Sequence, residues 1–221
     1  MERKLVFFID FDGTISREDV CYKMVKTFAA HGWEELNSLW EKGVLSTVDC
    51  ARRTLQLMSV DNRELQAFFD EMGIDESFAG FVKWIKSKAF PLYILSDGYD
   101  NYIEILLKKK RLQLPVYANH LEYQQEGWQI QTPHLNEECQ KCGVCKSGII
   151  KRLISQENIS VYVGDGYSDL CPAGICDIVF AKDRLAEYCE ETGIKYFAFD
   201  DFNDIQRKIE ELISGCNEYL K

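Results

Sequence analysis

The sequence predicts an α/β fold around a parallel sheet, on three observations. Six short apolar runs have the length of strands, helical patterns separate most of them, and two segments interrupt the alternation. Leu5–Ile9 comes first, an apolar run bounded by charge that reads as a buried strand. Phe90–Leu95, Pro115–Asn119, Ile159–Val163, Asp177–Ala181 and Lys195–Phe199 are the others. Between them, Phe78–Lys86 places Phe81, Trp84 and Ile85 at helical spacing, Tyr102–Leu107 places Ile103, Leu106 and Leu107, and Gly148–Ser155 places Ile149, Ile150, Leu153 and Ile154. From Arg17 to about Glu76 the period is helical without a strand pattern, so a helical cap is expected directly after the first strand. Leu121–Gln131 alternates around Glu126–Gly127, the signal of a β-hairpin. The expected layout is a core of residues 1–15 and 77–221 carrying a cap domain of residues 16–76.

Bulk properties narrow the function. Acidic residues number 36 and basic ones 26, a net charge of −10. Nucleic acids and anionic membranes call for a basic face, so neither is expected as a partner. The charge leaves an anionic small molecule open, because a bound divalent cation reverses the local field. No run reaches the roughly 20 apolar residues that span a bilayer. The N-terminus, MERKLVFFIDFDG, lacks the pattern of a signal peptide, which places the expected location in the cytoplasm. Nine cysteines, an odd number in a chain of 221 residues, point to free thiols rather than a disulfide scaffold. Monomer and homodimer both stay open.

Candidate chemistry gathers where the strands end. Asp10-Phe11-Asp12-Gly13-Thr14 follows the first strand. Residues two apart in extended chain point the same way, so Asp10 and Asp12 can face one pocket at the carboxyl edge of the sheet. Two carboxylates this close call for a cation or a shared proton. Ser96-Asp97-Gly98 follows the second strand, where a hydroxyl and free backbone N–H groups can hold a phosphoryl oxygen or cap a helix. Gly164-Asp165-Gly166-Tyr167-Ser168-Asp169 follows the fourth, with Asp165 and Asp169 as oxygen donors of the type Mg²⁺ prefers. Lys146 starts the helix leading into that strand, where an ammonium can pair with Asp10.

This ordered set, DxDGT, Ser, Lys, GDGxxD, each part after a strand, resembles the haloacid dehalogenase (HAD) phosphatases along essentially the whole chain. The resemblance implies a Rossmann-like core, Mg²⁺ as cofactor and a small phosphorylated metabolite as substrate. It implies Asp10 as nucleophile, Asp12 as general acid/base, and Ser96, Asp97, Gly98 and Lys146 around the phosphate. Asp10, the Asp12 backbone carbonyl, Asp165 and a supporting Asp169 would form the metal site. A phosphotransferase or mutase of the same fold, and a non-catalytic metal-binding module, remain rivals.

The helical insert resembles the cap of the phosphoserine phosphatase group. His134–Lys146 and Phe199-Asp200-Asp201-Phe202 resemble the methionine-salvage 2-hydroxy-3-keto-5-methylthiopentenyl-1-phosphate phosphatases. Asp169-Leu170-Cys171-Pro172 resembles phosphoethanolamine/phosphocholine phosphatases, and Ser96-Asp97-Gly98 departs from the Ser-Gly-Gly of the salvage and phosphoserine enzymes. Glu18 and Asp19 stand where phosphoserine phosphatases carry an acid for a substrate amine, Asp19 being the better match; a helix-start acid is the alternative. Cys139, Cys142 and Cys145 with His134 offer four donors for a structural Zn²⁺, against a loop of reduced thiols or a labile disulfide. Trp33, Trp40, Phe68 and Phe69 read as cap core, with one of them available to a substrate pocket. His31 and His120 show no evident partner.

Overall fold

A computed structural model describes residues 4–125 and 127–215. Seven strands form one sheet in the order β4-β3-β2-β1-β5-β6-β7. They are β1 (Lys4–Ile9), β2 (Leu92–Tyr99), β3 (Val116–Gln124), β4 (Gly127–Gln131), β5 (Asn158–Gly164), β6 (Ile178–Ala181) and β7 (Phe197–Ala198). All neighbours are parallel except β3 and β4, the expected hairpin, in which Tyr123 faces Trp128. Glu126, at its tip, lies outside the described residues, as does Cys216.

Central β1 is covered on both faces, which explains its unbroken apolar run. Leu5, Phe7 and Ile9 enter one core cluster, Val6 and Phe8 the other. On the first face lie α5 (Phe78–Ser87), α6 (Asp100–Lys109) and α10 (Phe202–Ser214). On the second lie α7 (Lys146–Leu153), α8 (Leu170–Ala173) and α9 (Asp183–Thr192). The helical cap follows β1 as α1 (Val20–Phe28), α2 (Trp33–Glu41), α3 (Thr47–Leu55) and α4 (Asn62–Glu71). Its helices start on capping side chains where the sequence supplies them: Asp19 accepts from Tyr22 N, Ser46 from Asp49 N, and Asp61 with Glu64 makes a capping box. Among the described residues no helix is long and apolar enough to cross a membrane.

Two strand boundaries differ from expectation. β2 runs on through Ser96-Asp97-Gly98 to Tyr99, with a register shift against β3 between Leu95 and Tyr99. That irregularity turns the Ser96 hydroxyl into the protein. Neither Ser96 nor Asp97 caps a helix, since the residue preceding α6 is Tyr99. At the sheet edge β7 keeps only Phe197–Ala198 of the expected Lys195–Phe199, because it has one neighbour, β6, to pair with.

Candidate active site

β1, β2 and β5 all end on one edge of the sheet, and α7 begins there, so the topology gathers their terminal residues. Lys146 is 2 % exposed, and its ammonium donates to Asp10 Oδ1 at 2.6 Å, Asp169 Oδ1 at 2.6 Å and Ser168 Oγ at 2.8 Å. Burial alone would lower its pKa; the charges of Asp10 and Asp169 outweigh that and raise it. Carboxylate oxygens of Asp10, Asp165 and Asp169 lie within 4.8 Å of one another. Burial, then the negative charge of Asp169, pushes Asp10 well above the ordinary carboxylate range and Asp165 up to about 7. Asp169 moves the other way: burial would raise it, but the Lys146 charge and its hydrogen bonds hold it low.

The two acids of the GDGxxD turn are placed differently. Asp169 accepts from Lys146 and from Tyr162 Oη at 2.5 Å through Oδ1, and from the Asp165 and Gly166 N–H groups at 2.9 Å through Oδ2. Those four bonds occupy it and fix the turn that presents Asp165. Asp165 is half-buried and accepts from Thr14 Oγ1 at 2.5 Å. Gly13 permits this approach: its φ is +73°, and a Cβ there would strike the Asp165 carboxylate.

Asp12 points away from that trio. Its Oδ1 accepts from Val20 N at 3.1 Å, and its Oδ2 from Tyr102 Oη at 2.5 Å and Ser96 Oγ at 3.1 Å. Burial, then the charge of Asp19, raises its pKa to about 7 against those hydrogen bonds. Ser96 Oγ in turn accepts from Gly98 N at 2.9 Å. Asp97 Oδ1 accepts from Val144 N at 2.8 Å, which ties the Cys-rich segment to β2 just ahead of Lys146.

Asp10, Asp12, Asp165, Asp97 and Gly98 line a cavity of about 300 Å³ whose far wall is the cap. Asp19 lines it while capping α1. Glu18 does not: its carboxylate pairs with Lys23 in solvent. Trp33 and Trp40 line the cavity, whereas Phe68 and Phe69 are buried in the core. Sequence reasoning passed over Thr14, Tyr102, Tyr162 and Ser168, which hold the acids and the lysine. Thr14 and Ser168 sit inside the two Asp motifs, while Tyr102 and Tyr162 carry no local signal.

The zinc expectation is corrected. Among the described residues, the three aspartates are the one group of His, Cys, Asp or Glu donors close enough to share an ion. His134 packs edge-on against Tyr117 at 5.2 Å, and Cys139 is exposed. Asn136 organises the segment instead, accepting from Glu138 N and Cys139 N and donating to Cys145 Sγ at 3.6 Å. His120 has a partner after all, Asp100, at 2.7 Å.

A family profile described as "Putative Phosphatase" matches residues 5–186, from β1 through the GDGxxD turn into α9. The chain belongs to this phosphatase family. It is a HAD-type phosphatase, a phosphoric monoester hydrolase. Proteins called "2-hydroxy-3-keto-5-methylthiopentenyl-1-phosphate phosphatase" from Bacillus velezensis and Brevibacillus brevis are each 31 % identical to it. The match covers 96 % of this phosphatase in both cases, and 92 % and 98 % of those proteins. A solved "Phospho-Aspartyl Intermediate Analogue of Phosphoserine phosphatase" superposes with a TM-score of 0.71 at 17 % identity, over 94 % of this chain and 99 % of that one. A "Substrate Bound Phosphoserine Phosphatase Complex Structure" gives 0.69 at 17 %, over 94 % and 99 %. At that identity the phosphatase shares their fold.

Proposed function

We propose that this phosphatase hydrolyses a small phosphomonoester with Mg²⁺ through an aspartyl-phosphate on Asp10. The observation that carries the proposal is the convergence of Lys146 Nζ on Asp10 at 2.6 Å, in a group of three carboxylates, Asp10, Asp165 and Asp169, within 4.8 Å of one another. The donor set fits a hard cation: oxygen ligands only, with Asp10 and Asp165 both raised by burial and then by the charge of Asp169, which a bound cation would offset. Asp10, Asp165 and the Asp12 backbone carbonyl would hold Mg²⁺, with Asp169 positioning Asp165. Bound Mg²⁺ supplies the charge neutralisation that lets two anions approach.

The chain's own residues do the rest. Lys146 aims Asp10, its charge working against the burial that raises the Asp10 pKa, and Asp10 attacks phosphorus as the ester P–O bond breaks. Asp12, with a pKa near 7, carries a proton to the leaving oxygen, then takes one from the water that displaces phosphate from Asp10. Ser96, Gly98 and Lys146 are the phosphate-binding groups, and Asp97 serves them by holding Val144. Residues 16–76 act as the cap domain over a core of 1–15 and 77–221, in the cytoplasm.

The names of the relatives support the methionine-salvage ester as substrate, and the apolar wall of Trp33, Trp40, Val25 and Leu55 suits its methylthio tail. Asp19 in the cavity favours a second reading, an amine-bearing ester such as phosphoserine, phosphoethanolamine or phosphocholine. The deciding experiment is kcat/KM for these four esters with Mg²⁺, in wild type and Asp19→Ala. Preference for the salvage ester, unchanged in the variant, supports the first reading. Preference for an amine ester, lost in the variant, supports the second. Failure on every phosphomonoester would reject the proposal.

A further inference from the structure

The four cap helices are not held alike. α1 buries Val20 and Met24, α3 buries Val48 and Leu55, and α4 buries Leu65, Phe68 and Phe69; α2 buries nothing. Three sets of contacts bind the others to the core. Buried Trp128, on the hairpin strand β4, donates from Nε1 to Val60 O at 2.9 Å, in the loop between α3 and α4. α4 sits on α6 through Phe69 and Tyr102, with ring centroids 5.3 Å apart, and through Lys109 Nζ bonded to Asp70 O. At the cap's root, Ser16 bridges Ile74 and Arg17 N donates to Gly73 O at 3.2 Å.

α2 lies between two left-handed glycines, Gly32 at φ +107° and Gly43 at φ +69°, each with open space around it. It has no side-chain N-cap. Its inner stripe, Trp33, Asn37, Trp40 and Glu41, is one helical face and forms a wall of the active cavity. Its link to the core is Trp40 against Tyr167, at 5.7 Å, whose ring is also stacked by Arg184 at 5.3 Å. Trp40 Nε1 also donates to Thr47 Oγ1 at 3.0 Å, which joins α2 to α3. Tyr167 lies two residues beyond Asp165 in the same turn.

We infer that α2 alone is the lid of this enzyme, hinged at Gly32 and Gly43 and latched by Trp40 on Tyr167, and that Trp33 on its inner face selects the leaving group. The hairpin, α6 and the cap's root together pin the remaining cap helices, so opening is the swing of one helix rather than rotation of the whole cap. No residue of α2 is fully buried, Trp33, Leu36, Leu39 and Trp40 being half-buried, so α2 opens locally at lower free energy than α3 and α4, which open only with the core they share. Swinging α2 clears the cavity; returning it excludes water and sets the indole of Trp33 against the leaving group.

Hydrogen–deuterium exchange on the full-length protein tests the lid. In the free protein, amides of residues 33–41 are expected to exchange at least about tenfold faster than those of α1, α3 and α4. Mg²⁺ with beryllium fluoride is expected to slow residues 33–41 alone. Equal exchange across α1–α4, rising and falling together, would overturn the hinge. Selection rests on the phosphatase reading and is tested by kinetics. In Trp33→Ala the ratio of kcat/KM for phenyl phosphate to that for methyl phosphate is expected to fall about tenfold, and Trp33→Phe to restore most of it. An unchanged ratio in Trp33→Ala would overturn selection. Exchange in the free protein needs no substrate, so a failure of the phosphatase reading leaves it decisive.

Discussion

Replacing Lys146 by Met removes the ammonium buried among the active-site carboxylates while keeping most of the side-chain volume. Its side chain is 1 % exposed, and its two ion-pair partners, Asp10 and Asp169, are 6 % and 0 % exposed. Stripping one partner from a buried pair strands the other charge, at a cost of about 3–5 kcal/mol. For a chain of this size each kcal/mol moves Tm by about 2–4 °C, so metal-free Lys146→Met should melt about 6–20 °C below wild type near neutral pH. The sign of the pH dependence follows from Asp169. Its folded pKa is depressed, so the stability it gains from Lys146 is present above its unfolded pKa and lost as pH falls through the folded one. In the variant the stranded carboxyls protonate more readily still. The gap should therefore narrow as pH drops from about 7.5 towards about 4.5. Calorimetry with a chelator present measures both. A gap under about 1 kcal/mol, the scale of an exposed pair, or one that does not change with pH, would refute the reasoning.

Asp10→Asn should fold normally and lose turnover; activity retained in a steady-state assay counts against Asp10 as nucleophile. Mg²⁺ affinity should weaken below about pH 7, by up to about tenfold per pH unit, because Asp165, raised to about 7 in the metal-free protein, must lose its proton to bind. Titration calorimetry near pH 6 and pH 8 checks this, and equal affinities would contradict it. Tyr102→Phe removes a hydrogen bond that lowers the Asp12 pKa, so the Asp12 limb of the pH–rate profile should move up by about one pH unit. An unmoved limb would sever Tyr102 from Asp12. Trp128→Ala should cost about 3 kcal/mol in denaturant unfolding, because it empties a buried site and frees Val60 O.

Much of the fold was legible because its signals are local. Alternate residues of β1 feed the two core faces, and a run such as Leu5–Ile9 can satisfy both only inside a parallel sheet. Asp10 and Asp165 were legible for the same reason, each standing one residue past a strand. The end of β2 was not: Ser96-Asp97-Gly98 reads as a turn, yet pairing with β3 resumes at Tyr99. Tyr102 and Tyr162 were missed because their partners, Asp12 and Asp169, come from other elements. The Cys-rich segment misled because spacing alone cannot tell ligands from thiols. Backbone hydrogen bonds accepted by Asn136 and Asp97, which no local pattern announces, organise it instead.

Covalent transfer to Asp10 is most directly tested by acid-quenching the enzyme during turnover of a phosphomonoester with Mg²⁺ and mapping the adduct by peptide mass spectrometry. One phosphoryl group on the peptide containing Asp10, labile to hydroxylamine, is the expected result. Steady turnover with the phosphoryl group on any other residue would contradict it.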